Sequence, residues 1–191
     1  MFIETEDTPN PLVMKFRPGR EVSPEPREFT DPDQAPSPLA RALLNLGDVT
    51  SVFFGPDFVS VTKAGADIDW RHLKAPVLTA IMDHYTSGQP LYDGEGTGTA
   101  DEAESDIDYS EGGQQVVKEI KSVLDERIRP AVARDGGDIV FDRFEEDSGV
   151  VYLSMRGACA GCPSSTMTLK IGVENMLRRY IPEVSRVEAV M

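Results

Sequence analysis

Residues 93–113, DGEGTGTADEAESDIDYSEGG, hold eight carboxylates, no cation, and only two large apolar side chains, Ile107 and Tyr109. Such a stretch cannot bury enough apolar surface to offset the entropy lost on ordering it. It therefore divides the 191-residue chain into two small units, residues 1–92 and 114–191. The expectation for 93–113 is an acidic flexible linker, about 25 Å from end to end as a coil and longer under its own repulsion.

Charge follows the same division. The formal net charge is −14, yet residues 1–92 carry 13 acids against 8 bases and residues 114–191 carry 12 against 11. No basic face is evident, which argues against nucleic-acid binding. Neither an apolar run of about 18 residues nor a cationic amphipathic helix is present, so no membrane contact is expected. The opening MFIETEDTPNP is acidic and turn-rich, with no basic or apolar leader region. A cytoplasmic location is the expectation.

The first unit reads as α+β. FIETEDTPNPLVMKFRPG suggests two short strands around a Pro-Asn-Pro turn. In SPLARALLNLG, Ser37 is the N-cap, Pro38 the first helical residue and Gly47 the stop. VTSVFFG and FVSVTKA, separated by a tight turn, form a hairpin. DWRHLKAPVLTAIMDHYTSG returns to helical spacing through Trp70, Leu73, Val77, Ile81 and Tyr85, with Pro76 as a kink or as the start of its regular part. His72 and His84 fall on this helix, exposed or half-buried, and neither is expected to bind metal. No nucleophile constellation appears in this unit.

The second unit reads α-β-β-α-β, so the fold class is α+β throughout. Val116, Ile120, Val123, Leu124 and Ile128 make one apolar stripe, bent or ended near Pro130 and stopped at Gly136. DIVFDRF and GVVYLSMRG are strands joined by a polar turn. A helix through Met167, Ile171, Val173, Met176, Leu177 and Tyr180 ends before Pro182, and VSRVEAV is a last short strand.

Between the second strand and that helix lies GACAGCPSSTMTLK, which holds the only two cysteines, Cys159 and Cys162. Gly157 and Gly161 let the backbone wrap closely there. Ser164 or Ser165 can cap the helix, whose N-terminal field favours a thiolate. A structural zinc or a common iron–sulfur cluster takes about four donors, and one chain offers two. A second copy can supply the rest by two-fold symmetry. A cargo held that way is shared and releasable, which suits a carrier.

Two other readings stand beside it, a thiol–disulfide oxidoreductase and a zinc-bridged interaction module. A dithiol enzyme of the thioredoxin type places its motif in a βαβ setting, whereas here the motif comes after two strands and late in the unit. Arg156, Lys170, Arg178 and Arg179 either offset the charge of a thiolate-ligated cluster or are simply solvated. Met155, Met167 and Met176 read as core filler. Asp135, Gly136, Gly137 and Asp138 read as the end of a helix and the beginning of a strand.

ARDGGDIVF followed by VVYLSMRGACAGCPSSTMTLKIGVENMLRRYIPEV closely resembles the C-terminal domain of the NifU family. TEDTPNPLVMKFRPG, DVTSVFFGPDFVSVTK and DWRHLKAPVLTAIMD resemble the N-terminal domain of Nfu-type proteins. The resemblance implies an iron–sulfur cluster scaffold or carrier, not an enzyme. Its cofactor would be a [4Fe–4S] cluster shared between two subunits, with [2Fe–2S] as the smaller alternative. Cys159 and Cys162 match the family ligands. The implied partners are upstream cluster assembly factors, apo iron–sulfur proteins as acceptors, and a second copy of the chain in a cluster-bound homodimer. The cysteine-rich and ferredoxin-like portions of full-length NifU have no counterpart in this sequence, so no nitrogenase-specific role is implied.

Overall fold

A computed structural model describes residues 2–93, 107–160 and 163–190, with side chains described except at 163–166. The chain forms two compact units, residues 1–100 and 101–191. Both combine helices with antiparallel strand pairs, in agreement with the α+β expectation. Residues 94–106, most of the expected linker, lie outside the described residues.

The first unit is a five-stranded antiparallel sheet in the order β1-β2-β5-β4-β3, built from Glu4–Asp7, Val13–Arg17, Arg27–Phe29, Val49–Phe54 and Val59–Lys63. Two helices, α1 (Pro38–Leu44) and α2 (Trp70–Ser87), pack with it. Ser37 caps α1 by accepting from the Ala40 N–H at 3.3 Å. Phe16, Leu39, Leu43, Phe54, Val77 and Ile81 are fully buried in the shared core. Each such side chain contributes roughly 1.5–3 kcal/mol by leaving water.

Two features differ from the sequence reading. β3 was not expected, because REF between Pro26 and Asp31 carries two charges in three residues and offers almost no alternation. It is held at the sheet edge by pairing Phe29 with Val52 and Arg27 with Phe54. Pro76 does not start the regular part of α2, which begins at Trp70 and runs past it to Gly88, a left-handed cap with φ 69°. The backbone bond lost at Pro76 is offset by the burial of Leu73, Val77 and Ile81.

The second unit runs α3 (Glu111–Val123), a π-helical turn (Leu124–Ile128), α4 (Arg129–Arg134), β6 (Gly137–Glu145), β7 (Val150–Gly157), α5 (Pro163–Tyr180) and β8 (Arg186–Val190). Pro130 stands in the first turn of α4, so the first helical part ends just before it, as expected, while the apolar stripe continues past it. The Arg129 N–H reaches back five residues to the Leu124 carbonyl, and this wider turn accommodates the proline ring. Ile120, Leu124, Ile128 and Val132 thus stay buried along one face.

This unit also begins earlier than residue 114. The Tyr109 hydroxyl accepts from the Phe144 N–H at 3.0 Å, and Ser110 caps α3 by accepting from Gly113. The Glu146 carboxylate accepts from the Ser110 N–H at 2.9 Å and from its hydroxyl. Those donors hold the Glu146 carboxyl below its ordinary range. Composition alone assigned Tyr109–Gly113 to the acidic stretch, but Tyr109 and Ser110 have partners 35 and 36 residues away, a separation that pattern reading cannot see.

β6 and β7 pair antiparallel, while β7 and β8 pair parallel in the order β6-β7-β8. Parallel neighbours need a long crossover, and α5 is that crossover. Val173 and Leu177 on α5 bury in one cluster with Ile139, Leu153 and Val187. The cysteine segment therefore falls between the end of β7 and the beginning of α5.

Candidate functional site

Cys159 sits two residues beyond β7 in a turn closed by backbone bonds. The Ala158 N–H donates to the Gly136 carbonyl at 3.2 Å, Cys159 to Arg156 at 3.3 Å, and Ala160 to Gly157 at 3.0 Å. Gly157 adopts a left-handed φ of 59° and Gly136 one of 82°, conformations in which a side chain is strained. Cys159 is only 5% exposed and belongs to the same apolar cluster as Ile139, Leu153 and Met155.

Gly137 makes room for it. In the β6–β7 register Gly137 lies opposite Gly157. A Cβ on Gly137 would stand 2.4 Å from the Cys159 Sγ, 2.8 Å from its amide nitrogen and 2.9 Å from the Arg156 carbonyl oxygen. The thiol therefore occupies the space that a side chain at 137 would need.

The next residue anchors this corner. Asp138 is 4% exposed and receives two bonds from Arg129, from Nε at 2.9 Å and from Nη2 at 3.0 Å. Arg129 Nη1 also donates to Asp125 at 2.9 Å. Hydrogen bonding to Asp138 pushes the Arg129 guanidinium pKa still further up, so the group stays charged. This fork ties the end of the π-helical turn to the first residues of β6, beside the thiol.

The DGGD stretch does more than end a helix and begin a strand: Gly136 accepts from the cysteine turn, Gly137 shapes the thiol's pocket, and Asp138 fixes both to the helix. The consecutive glycines were the visible signal. Their contact with a residue twenty-two positions away was not.

Of the two cysteines, the structure places Cys159; Cys162 lies outside the described residues, as do the side chains of Ser164 and Ser165. Among the described residues no cluster of three or more His, Cys, Asp or Glu side chains is placed to hold a metal. A thiol this buried must turn outward before it can ligate a metal or exchange a disulfide.

The cations separate. Lys170 is paired with Glu188 at 2.6 Å, and Arg178 lies 3.9 Å from Glu174. Arg178 and Arg179 occupy the last turn of α5, roughly 22 Å along the axis from its beginning, and so lie remote from the cysteine turn. Arg156, opposite Asp138 in the register, is the basic residue nearest in sequence to the turn. The methionines also separate. Met155 is 9% exposed and fills the core, but Met167 and Met176 are exposed, contrary to the core role expected for all three.

In the first unit, His84 is buried at 6% exposure and its Nδ1 has no hydrogen-bond partner among the described residues, while His72 is exposed. Burial holds the His84 imidazole below its ordinary pKa. Its ring packs edge-on against Tyr85, with centroids 5.2 Å apart.

Two family models match the chain, the NifU-like domain over residues 120–188 and the Nfu/NifU scaffold protein N-terminal domain over residues 3–88. The human protein named NFU1 iron-sulfur cluster scaffold homolog, mitochondrial, is 48% identical over 194 aligned residues, covering all of this chain and 72% of that protein. The chain belongs to the Nfu/NifU family.

A second relative of this Nfu/NifU chain, NifU-like protein 4, mitochondrial, of Arabidopsis thaliana, is 47% identical over 98% of the chain and 65% of its own length. Among solved structures, a NifU-like protein from Saccharomyces cerevisiae overlaps 50% of this chain and 87% of its own with a TM-score of 0.44 and 21% identity. The relatives overturn the cytoplasmic placement expected from the sequence, since those from human and Arabidopsis are named mitochondrial. That expectation rested on an acidic, turn-rich opening and on the lack of a long apolar run. Such features argue against an exported, disulfide-forming environment but do not distinguish one thiol-reducing compartment from another.

Proposed function

We propose that this protein is a non-catalytic carrier of iron–sulfur clusters. Cys159 and Cys162 from each of two chains supply four thiolates to one [4Fe–4S] cluster, which then passes to apo iron–sulfur proteins. The observation that carries the reading is the cysteine pair itself: two cysteines, three positions apart in the sequence between β7 and α5 of a NifU-like domain, in a chain with no further cysteine. Four-thiolate ligation is the usual requirement of such a cluster. The human relative's name, an iron-sulfur cluster scaffold homolog, supports the same reading.

The cluster is cargo, so the chemistry is ligand exchange. Each iron–thiolate bond to Cys159 or Cys162 is replaced by a bond to an acceptor thiolate, with no change in oxidation state. Backbone hydrogen bonds from Ala158, Cys159 and Ala160 hold the first part of the cysteine segment against the end of the sheet, which suits a site that keeps its place while ligands exchange. In this scheme the unit from Tyr109 onward carries the cargo, residues 1–92 engage a donor or client, and the acidic stretch between them joins the two.

The test replaces either cysteine by serine and reconstitutes the chain anaerobically with iron and sulfide. The expected result is loss of the cluster's visible absorption and of transfer to an apo acceptor, with the fold intact by circular dichroism. A variant that still takes up and delivers clusters as the parent does would refute the proposal.

A further inference from the structure

Helix α5 carries an apolar face that the fold of its own unit does not cover. Met167 is 65% exposed and Ile171 55%, and they stand one turn apart on the same side of the helix. The other large apolar residues exposed on α5 are less open. Met176 is 37% exposed, and Tyr180, at 44%, lies beneath the Arg127 guanidinium, 4.8 Å from its ring centroid. Met167 and Ile171 lie roughly 6 and 12 Å along the axis from Pro163, the first residue after the cysteine segment.

We infer that this Met167–Ile171 face is where a second copy of the chain packs when two chains share a cluster. The inference rests on the carrier reading above and adds the surface that orients the partner. Two observations favour a like copy. First, two cysteines per chain leave the donor set incomplete, and this face lies on the first turns of the helix that follows the cysteine segment, so a copy that completes the set is joined next to it. Second, the charges alongside the face are already neutralised within the chain: Lys170 pairs with Glu188, and Glu174 lies beside Arg178 while accepting from the Val187 N–H at 3.0 Å. An identical face can therefore approach without like charges meeting, despite the chain's net charge of −14.

The size of the face fixes its role. A stable protein interface buries about 800 Å² on each partner, and two side chains are far short of that. The face cannot hold two chains together by itself. It orients them once the cluster has joined them, so the cluster-free chain stays monomeric.

The experiment uses the full chain carrying Met167→Glu and Ile171→Glu together, with Met167→Gln and Ile171→Gln as a milder second pair. Both positions are exposed, so the cluster-free variants should match the parent in circular dichroism and melting temperature. After anaerobic reconstitution, light scattering on a sizing column reports the mass, and iron analysis the cargo. The expected result is at least a tenfold lower fraction of cluster-bound dimer for the Glu pair, with an intermediate loss for the Gln pair. Dimerisation equal to the parent overturns the inference. Equal dimerisation with slower delivery to an acceptor overturns it too and assigns the face to the client. If the parent itself holds its cluster as a monomer, it is the underlying carrier geometry that fails, and the parent sample alone reveals this.

Discussion

Replacing Gly137 by alanine adds one methyl group at the point where the structure has least room. The new carbon would stand 2.4 Å from the Cys159 sulfur, against an ordinary contact of about 3.5–4 Å. The overlap exceeds 1 Å, and two backbone atoms, the Cys159 nitrogen and the Arg156 oxygen, crowd the same carbon. Backbone conformation is not the obstacle, because the left-handed glycines of this corner are Gly136 and Gly157. Overpacking of this kind costs about 1–3 kcal/mol, and rigid backbone on one side places the cost near the upper end. For a unit of this size that is a fall in melting temperature of roughly 10–20 °C.

The thiol should respond as well. Relief of the overlap requires Cys159 to swing outward, so its alkylation should quicken by at least about tenfold. Iodoacetamide labelling in a Cys162→Ser background, followed by mass spectrometry, isolates the one thiol. Gly172→Ala is the matched control. A Cβ there meets nothing within 4 Å, and helix propensity predicts a gain of about 0.5–1 kcal/mol. If Gly137→Ala leaves both the melting temperature and the labelling rate at parent values, the packing argument around the thiol is wrong.

Three further outcomes follow from other contacts. Asp138→Ala strands the Arg129 guanidinium beside the thiol corner; with Asp125 still available, the expected loss is about 3 kcal/mol in urea unfolding, and a loss below about 1 kcal/mol would contradict the clamp. Ser37→Ala removes the buried cap of α1 and should cost about 1 kcal/mol by the same measurement. His84 is buried with a lowered pKa, so the unfolded chain takes up its proton first. Its contribution to stability is full above about pH 6.5 and is lost as pH falls below that value. Melting temperatures from pH 7.5 to 5 should decline less steeply in His84→Gln than in the parent, and identical slopes would refute the assignment.

What the sequence made legible was whatever repeats with a local period or carries local turn chemistry. The Ser37–Pro38 helix start, the hairpin of β4 and β5, the stripe through Ile120, Leu124 and Ile128 and the position of the cysteine segment between a strand and a helix all have that character. What escaped depends on partners distant in sequence. Three residues of β3 form a strand only because β4 presents an edge to them. Tyr109–Gly113 look like solvent-exposed linker until Phe144 and Glu146 are placed beside them. The π-helical turn before Pro130 answers a steric problem that a binary pattern does not encode. At the site, the cysteine pair stood out as a candidate ligand pair, yet the burial of Cys159 and its dependence on Gly137 required the strand register.

Native mass spectrometry of the anaerobically reconstituted chain tests the central claim most directly, because it weighs protein and cargo in one particle. The account predicts a two-chain species carrying four iron and four sulfide, which falls to single chains when the cluster is stripped. A single chain holding that full complement would contradict it.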